Sequence, residues 1–246
     1  MTNSSTKIAL VTGASRGIGA AIARRLASDG YTVVINYAGS VGPAEELASK
    51  IEKAGGKALT VQADVSDAAA VARMFDSIEA AFGGIDVLVN NAGIMKLATL
   101  ADGDDALIDS QIAINLRGTI NTLREAAKRL REGGRIVNFS TSVVGLKLET
   151  YGIYAATKAA VETLTGILAK ELRGRSITVN AVAPGPTATA LFLDGKPPEL
   201  IERMSKMNPL ERLGTPEDVA AAVAFLVGPD GGWINGQVLR ANGGMI

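Results

Sequence analysis

Apolar residues recur along the chain in two alternating rhythms. Short, nearly continuous apolar runs lie at Ile8–Val11, Thr32–Ile35, Ala58–Val61, Val87–Val89, Ile136–Phe139, Thr178–Val182 and Val238–Leu239. Such runs predict strands covered on both faces. Between them, stretches near 17–29, 43–54, 67–82, 110–131, 153–173 and 216–227 space their apolar residues as helices do. Asp67 is placed to cap the third helix, and Thr215-Pro216-Glu217-Asp218 puts proline and acids in the first turn of the last. Gly30 and Gly55-Gly56 stand as C-terminal stops. Strand-helix alternation at this spacing predicts right-handed βαβ units and a parallel sheet. The stretch 186–210 breaks the rhythm with Pro186, Pro197, Pro198 and the apolar trio Leu191, Phe192, Leu193. It is a candidate lid inserted before the last helix and strand. No linker, proline tract, charge block or repeat divides the chain, so 1–246 is expected to form one domain with a sizeable core.

Composition narrows the chemistry. Lysine plus arginine equals aspartate plus glutamate at 25 each, so no bulk field favours nucleic acid or an anionic membrane. With no cysteine there are no disulfides, thiol nucleophiles or thiolate metal sites. With no histidine the commonest general base and transition-metal ligand are gone. Proton chemistry must come from Tyr, Lys, Asp, Glu or a hydroxyl, and no metal site is expected. No run reaches the roughly 18 apolar residues of a membrane span. The segment Met1–Lys7 has no apolar signal core. The expectation is a soluble, cytoplasmic protein.

Two motifs carry the functional signal. The first strand runs into Thr12-Gly13-Ala14-Ser15-Arg16-Gly17-Ile18-Gly19, and an apolar-periodic helix starts near Gly17. Strand, glycine turn and helix together suit a nucleotide: glycine admits the phosphates to the backbone, and the helix N-terminus offers free N–H groups. Further on, Tyr154 and Lys158 stand four residues apart, hence on one helix face, with hydroxyls at Ser140, Thr141 and Ser142 upstream. A free phenol titrates near a pKa of about 10, and a neighbouring cation favours its phenolate. A tunable phenol beside a nucleotide site predicts proton transfer paired with hydride transfer.

With these residues the chain resembles, end to end, the single-domain short-chain dehydrogenase/reductase family. Thr12-Gly13-x3-Gly17-x-Gly19 resembles its cofactor turn, and Asn90-Asn91-Ala92-Gly93 its Asn-Asn-Ala-Gly element. Asn115, Ser142, Tyr154 and Lys158 match its catalytic tetrad, and Pro184-Gly185 with Thr187 and Thr189 matches its nicotinamide-side loop. Counting back thirteen residues from Tyr154, the family's usual interval, reaches Thr141. Ser142-Val143-Val144-Gly145 reads like the family's strand-end element and selects Ser142; Thr141 stays open as the alternative.

The resemblance implies a single-domain Rossmann-type, doubly wound α/β fold of about seven parallel strands with helices on both faces. It implies reversible carbonyl-alcohol interconversion by hydride transfer to or from a nicotinamide cofactor. Tyr154 is then the acid/base, Lys158 lowers its pKa and bonds the nicotinamide ribose, Ser142 polarises the substrate oxygen, and Asn115 holds a water relaying protons from Lys158. Gly13, Ser15, Arg16, Gly17, Ile18, Gly19, Asn91, Ala92, Gly93, Pro184, Gly185, Thr187 and Thr189 join Tyr154 and Lys158 in the cofactor site. Asp64 and the Val65 backbone are expected at the adenine edge.

The second strand carries no acid at its end before Glu45, and Arg16 sits in the turn. NADP(H) is therefore favoured, with Arg16 on the 2′-phosphate and Asn36 and Ser40 adding hydrogen bonds; NAD(H) is the alternative. Pocket candidates Ile94, Met95, Val144–Tyr151 and Pro186–Leu193 are mostly apolar, with Glu149 and Tyr151 as polar exceptions, which suits a hydrophobic ketone or aldehyde. A 3-oxoacyl-carrier-protein reductase is the alternative activity, with Lys128, Arg129, Arg131, Arg173 and Arg175 either docking an acidic carrier or capping helix ends. A homotetramer or homodimer is implied, pairing the helices near 110–131 and 153–173. A non-catalytic NADP-binding protein on the same fold is the remaining alternative.

Overall fold

Residues 6–246 are described by a computed structural model; residues 1–5, part of the N-terminal segment read above, lie outside the described residues. Seven parallel strands form one sheet: β1 Ile8–Val11, β2 Thr32–Tyr37, β3 Lys57–Gln62, β4 Ile85–Asn90, β5 Leu130–Phe139, β6 Thr178–Pro184 and β7 Val238–Ala241, in the order β3-β2-β1-β4-β5-β6-β7. Every residue of β1 and β2 is buried, as their unbroken apolar sequences require. β3 is half exposed because it is an edge strand.

Helices α1 Gly17–Ser28, α2 Val41–Lys53 and α10 Pro216–Val227 cover one face, around Ile22, Leu26, Leu47, Val223 and Leu226. The opposite core joins α3 Ala68–Phe82, α5 Gly118–Arg129 and α7 Gly152–Glu171 through Phe75, Ile78, Leu123 and Leu168. Each fully buried side chain of this size contributes about 1.5–3 kcal/mol of transfer free energy. The caps read from sequence form: Asp67 accepts from the amides of Ala69 and Ala70, and Thr215 with Asp218 closes a capping box.

The helix expected over 110–131 is displaced. It starts as α4, Asp105–Gln111, because the Asp104 side chain accepts from Leu107 N at 2.7 Å. It widens into a π-helical segment at Ile112–Arg117 and continues as α5. It stops before Leu130, which pairs with Ile85 and opens β5. The π segment holds Asn115, and such widenings often mark functional positions. Between β6 and α10, the candidate lid carries two short helices, α8 Ala190–Leu193 and α9 Pro198–Ser205. Another short helix, α6 Val143–Leu146, follows β5. Strand order reverses between β1 and β4, and the crevice at the carboxyl ends of these strands is where such sheets bind ligands.

Candidate active site

The glycine turn is built for close approach. Gly13 and Gly17 have φ of 60° and 57°, which side-chain-bearing residues rarely adopt. A Cβ on Gly13 would lie 2.8 Å from Ala92 Cα, and one on Gly19 only 2.5 Å from Asn91 Nδ2. The Asn-Asn-Ala-Gly turn after β4 is therefore pressed onto the glycine turn, and hydrogen bonds lock the two. Thr12 Oγ1 accepts from Asn91 N at 3.1 Å and Ala92 N at 3.0 Å, while Asn91 Nδ2 donates to the carbonyls of Thr12 and Gly13 at 2.9 and 3.0 Å. Arg16, at the N-cap of α1, is exposed and makes no side-chain cap bond; Ser15 is partly exposed beside it.

Asn36 does not have the freedom expected of it. It is 1% exposed. Its Oδ1 accepts from Gly13 N at 3.3 Å, and its Nδ2 donates to Val61 O and Ala63 O at 3.3 and 3.0 Å. The amide is consumed in holding the glycine turn against β3, so it cannot reach out to a 2′-phosphate. Ser40 stands at the N-cap of α2 with no side-chain cap bond. Asp64 is exposed, one oxygen accepting from both the amide and the hydroxyl of Ser66, while neighbouring Val65 is buried.

Tyr154 and Lys158 share the inner face of α7, with the ammonium 5.9 Å from the phenol ring centre. Lys158 is 4% exposed and donates to Phe139 O at 2.9 Å. Burial lowers its pKa to about 8. Burial also pushes the Tyr154 phenol up to about 12, against a downward pull from the Thr141 hydroxyl. Desolvation is the largest influence on this phenol and favours its protonated form.

Thr141 and Ser142 both line the cleft with that phenol. Ser142 is occupied elsewhere: its Oγ donates to Ala183 O at 3.2 Å and accepts from Asn242 Nδ2 at 3.0 Å. Of the two candidates, Ser142 is tied to β6 and to Asn242 after β7, while Thr141 Oγ1 accepts locally from Val143 N at 3.3 Å. Asn115 is fully buried, and its side chain grips the Ile94 backbone, accepting from Ile94 N at 2.8 Å and donating to Ile94 O at 2.9 Å. The side-chain amide thus fixes the loop after Gly93. A Cβ on Gly93 would stand 3.2 Å from Asn115 Oδ1 and 3.5 Å from Lys158 Nζ, so the three meet at one point.

These groups open into one solvent-accessible cleft. Ile18, Asn91, Gly93, Pro184, Gly185, Thr187 and Thr189 line its cofactor side, and Thr141, Ser142, Tyr154 and Lys158 its floor. Ile94, Met95, Leu146, Leu148, Tyr151, Leu191 and Phe192 line the remainder. Glu149, expected in the pocket, is exposed and Val144 does not line it. Sequence reasoning missed Met204, Met207 and Met245, which also line the cleft. Their one signal was the apolar side of the short 198–205 helix, where Met204 is buried. The basic residues considered for carrier docking are largely engaged. Arg129 pairs with Asp76 and Glu125, Arg131 with Asp86, and Arg175 with Glu132 and two backbone carbonyls.

A parallel sheet with a glycine turn at its reversal point and a Tyr-Lys pair beside it marks a Rossmann-type oxidoreductase. The family model described as "Enoyl-(Acyl carrier protein) reductase" matches residues 13–246. The chain is 48% identical over 250 residues to a "Short-chain type dehydrogenase/reductase" of Picea abies, covering 98% of this chain and 92% of that one. It is 44% identical to a "NADPH-dependent aldehyde reductase-like protein, chloroplastic" of Arabidopsis thaliana, covering 98% and 94%. A short-chain dehydrogenase from Burkholderia cenocepacia J2315, solved in complex with NADP, superposes with a TM-score of 0.91 at 42% identity, covering 98% of each chain. The chain belongs to the short-chain dehydrogenase/reductase family. Among the described residues, no helix is long and apolar enough to cross a membrane.

Proposed function

We propose that this protein interconverts a carbonyl and an alcohol with NADP(H), using Tyr154 as acid and base. The observation that carries the reading is the pairing of Tyr154 with a buried Lys158, with the Thr141 and Ser142 hydroxyls beside them, in one cleft with Ile18 of the glycine turn. The residues fit the cofactor. The glycine turn leads into the N-terminus of α1, and β2 ends without a carboxylate while Arg16 stands exposed. The relative from Arabidopsis and the solved Burkholderia protein support the same choice, since both carry NADP(H) in their descriptions. When bound, the nicotinamide supplies or accepts the hydride.

The chain's own residues do the rest. The Gly13–Gly19 turn and the N-terminus of α1 would take the phosphates, Arg16 the 2′-phosphate, Asp64 and Val65 the adenine edge, and Lys158 the ribose. Tyr154, held protonated, donates its proton to the developing alkoxide in reduction. Thr141 steadies that oxygen as a preorganised dipole, in the role sequence alone gave to Ser142. Asn115 holds the Ile94 loop in register with Lys158. Adding neutral ketones and aldehydes to wild-type protein with NADPH should consume NADPH. Tyr154→Phe should bind NADPH with unchanged fluorescence yet consume none. A Tyr154→Phe protein that reduces carbonyls at near wild-type rate would falsify the mechanism.

A further inference from the structure

The cleft around Tyr154 and Lys158 has a composition the catalytic chemistry does not explain. Among the described residues, Lys158 is the one charged side chain lining it; no Asp, Glu or Arg faces in. Lys158 is buried beneath the phenol and bonded to Phe139 O, so it is not free to meet a second anion. An anionic group entering such a cleft loses its water and finds neutral donors there but no free cation to offset the loss.

The apolar wall has an unusual makeup. Four of the chain's six methionines, Met95, Met204, Met207 and Met245, face into it. They arrive from three separate places: the loop after β4, the lid around α9, and the penultimate residue of the chain. The tail is seated rather than loose, because a Cβ on Gly145 of α6 would lie 2.4 Å from Ile246 Cδ1. Met204 is buried while Met207 is 42% exposed at the mouth. Thioether side chains are unbranched and polarisable, so they refit to differently shaped apolar groups and make favourable contacts with aromatic rings. A wall of leucine or valine would instead fix one shape.

Building on the carbonyl reading above, we infer that the substrate is an uncharged, apolar carbonyl compound bearing an aromatic or branched group of variable bulk, and that keto acids are excluded. The closing pair of probes differs only in charge: an aryl α-keto ester and its keto acid. The ester should exceed the acid by about a hundredfold in kcat/KM, as expected for an anion denied a cation. In the Tyr154→Phe protein, which binds without turnover, calorimetry should find the ester and fail to find the acid. Met207→Arg places a cation at the exposed mouth and should raise kcat/KM for the acid about tenfold or more. Equal use or binding of ester and acid overturns the substrate class and leaves the carbonyl reading standing. Failure of Met207→Arg to help the acid overturns charge as the cause. Ester binding with no NADPH consumption by wild type overturns the carbonyl reading while supporting the apolar pocket. Neither binding nor turnover overturns both.

Discussion

Asn242 Nδ2 donates to Ser142 Oγ at 3.0 Å, joining residues 100 positions apart at the floor of the cleft. Ser142 Oγ donates a hydrogen bond to Ala183 O, and Asn242 Oδ1 accepts from Gly244 N. Ser142 is thereby a strut between β6 and the end of β7, whereas the hydroxyl of its neighbour Thr141 accepts locally from Val143 N at 3.3 Å and lines the cleft with Tyr154.

The two hydroxyls should therefore respond differently to removal. Thr141→Val should lower kcat for carbonyl reduction by about 2–4 kcal/mol of transition-state stabilisation, typical of one lost preorganised donor. Thr141→Ser should retain most activity. Ser142→Ala should act mainly on stability, by about 1–3 kcal/mol, because it leaves the Asn242 amide unpaired. Steady-state kinetics and urea denaturation on the same preparations decide it. An inactive but stable Ser142→Ala beside an active Thr141→Val returns the role to Ser142.

The pH profile of reduction should be set by the lysine and not by the phenol. Lys158, lowered to about 8 by burial, is charged below that pH and neutral above it. Tyr154, pushed up to about 12, stays protonated throughout the working range. kcat/KM, which reports the free enzyme, should fall as pH rises through the lysine's pKa. Lys158→Arg keeps its charge to a pKa above about 12, so whatever activity it retains should lack that limb. A limb unchanged in Lys158→Arg would point to another group.

Stability should show the same lysine with the opposite slope. Its folded pKa of about 8 lies below its ordinary 10.5, so between these values the unfolded chain binds more protons and stability rises with pH. The burial penalty is full below the folded pKa and relieved as pH rises towards the unfolded one, by about 3 kcal/mol at most. Tyr154 works the other way above its ordinary value of 10.0, where its raised pKa makes stability fall with rising pH. Wild type compared with Lys158→Met by urea denaturation cancels the tyrosine. The deficit of wild type should shrink across that window; a constant difference would mean the ammonium is solvated in the folded state.

The sequence reveals the sheet because parallel strands covered on both faces are largely apolar runs, as in β1 and the Val33–Ile35 centre of β2. It hides the start of β5, because Leu130–Arg135 reads Leu-Arg-Glu-Gly-Gly-Arg and is recruited by pairing with β4. The nucleotide turn and the Tyr154-Lys158 pair are legible because both are local in sequence. Ser142 and Thr141 are not separable locally, since the deciding partner, Asn242, comes from the far end of the chain. Asn36 misleads for a related reason: a polar residue ending a strand looks available, yet three backbone groups bury it. Met204, Met207 and Met245 belong to no motif and meet only through tertiary packing.

Cofactor choice gives the sharpest contrast between residues that look alike on paper. Arg16 is exposed in the phosphate turn, where it can pair with a 2′-phosphate that NADP has and NAD lacks. Bonds of this kind contribute about 1.5–3 kcal/mol, so Arg16→Ala should weaken NADPH binding by roughly ten- to a hundredfold and leave NADH nearly untouched. Asn36→Asp, the substitution that a free strand-end residue would make into a switch towards NADH, should fail as one. Its carboxylate would face Val61 O and Ala63 O, which the amide now donates to, while only the contact from Gly13 N survives. Like charges at those carbonyls should loosen the turn, lower the melting midpoint and weaken both cofactors together. Dissociation constants for NADPH and NADH across a salt series, with melting curves, separate the cases. Equal weakening of both cofactors by Arg16→Ala removes Arg16 from the 2′-phosphate; a stable Asn36→Asp protein that prefers NADH would show that Asn36 reaches the ribose after all.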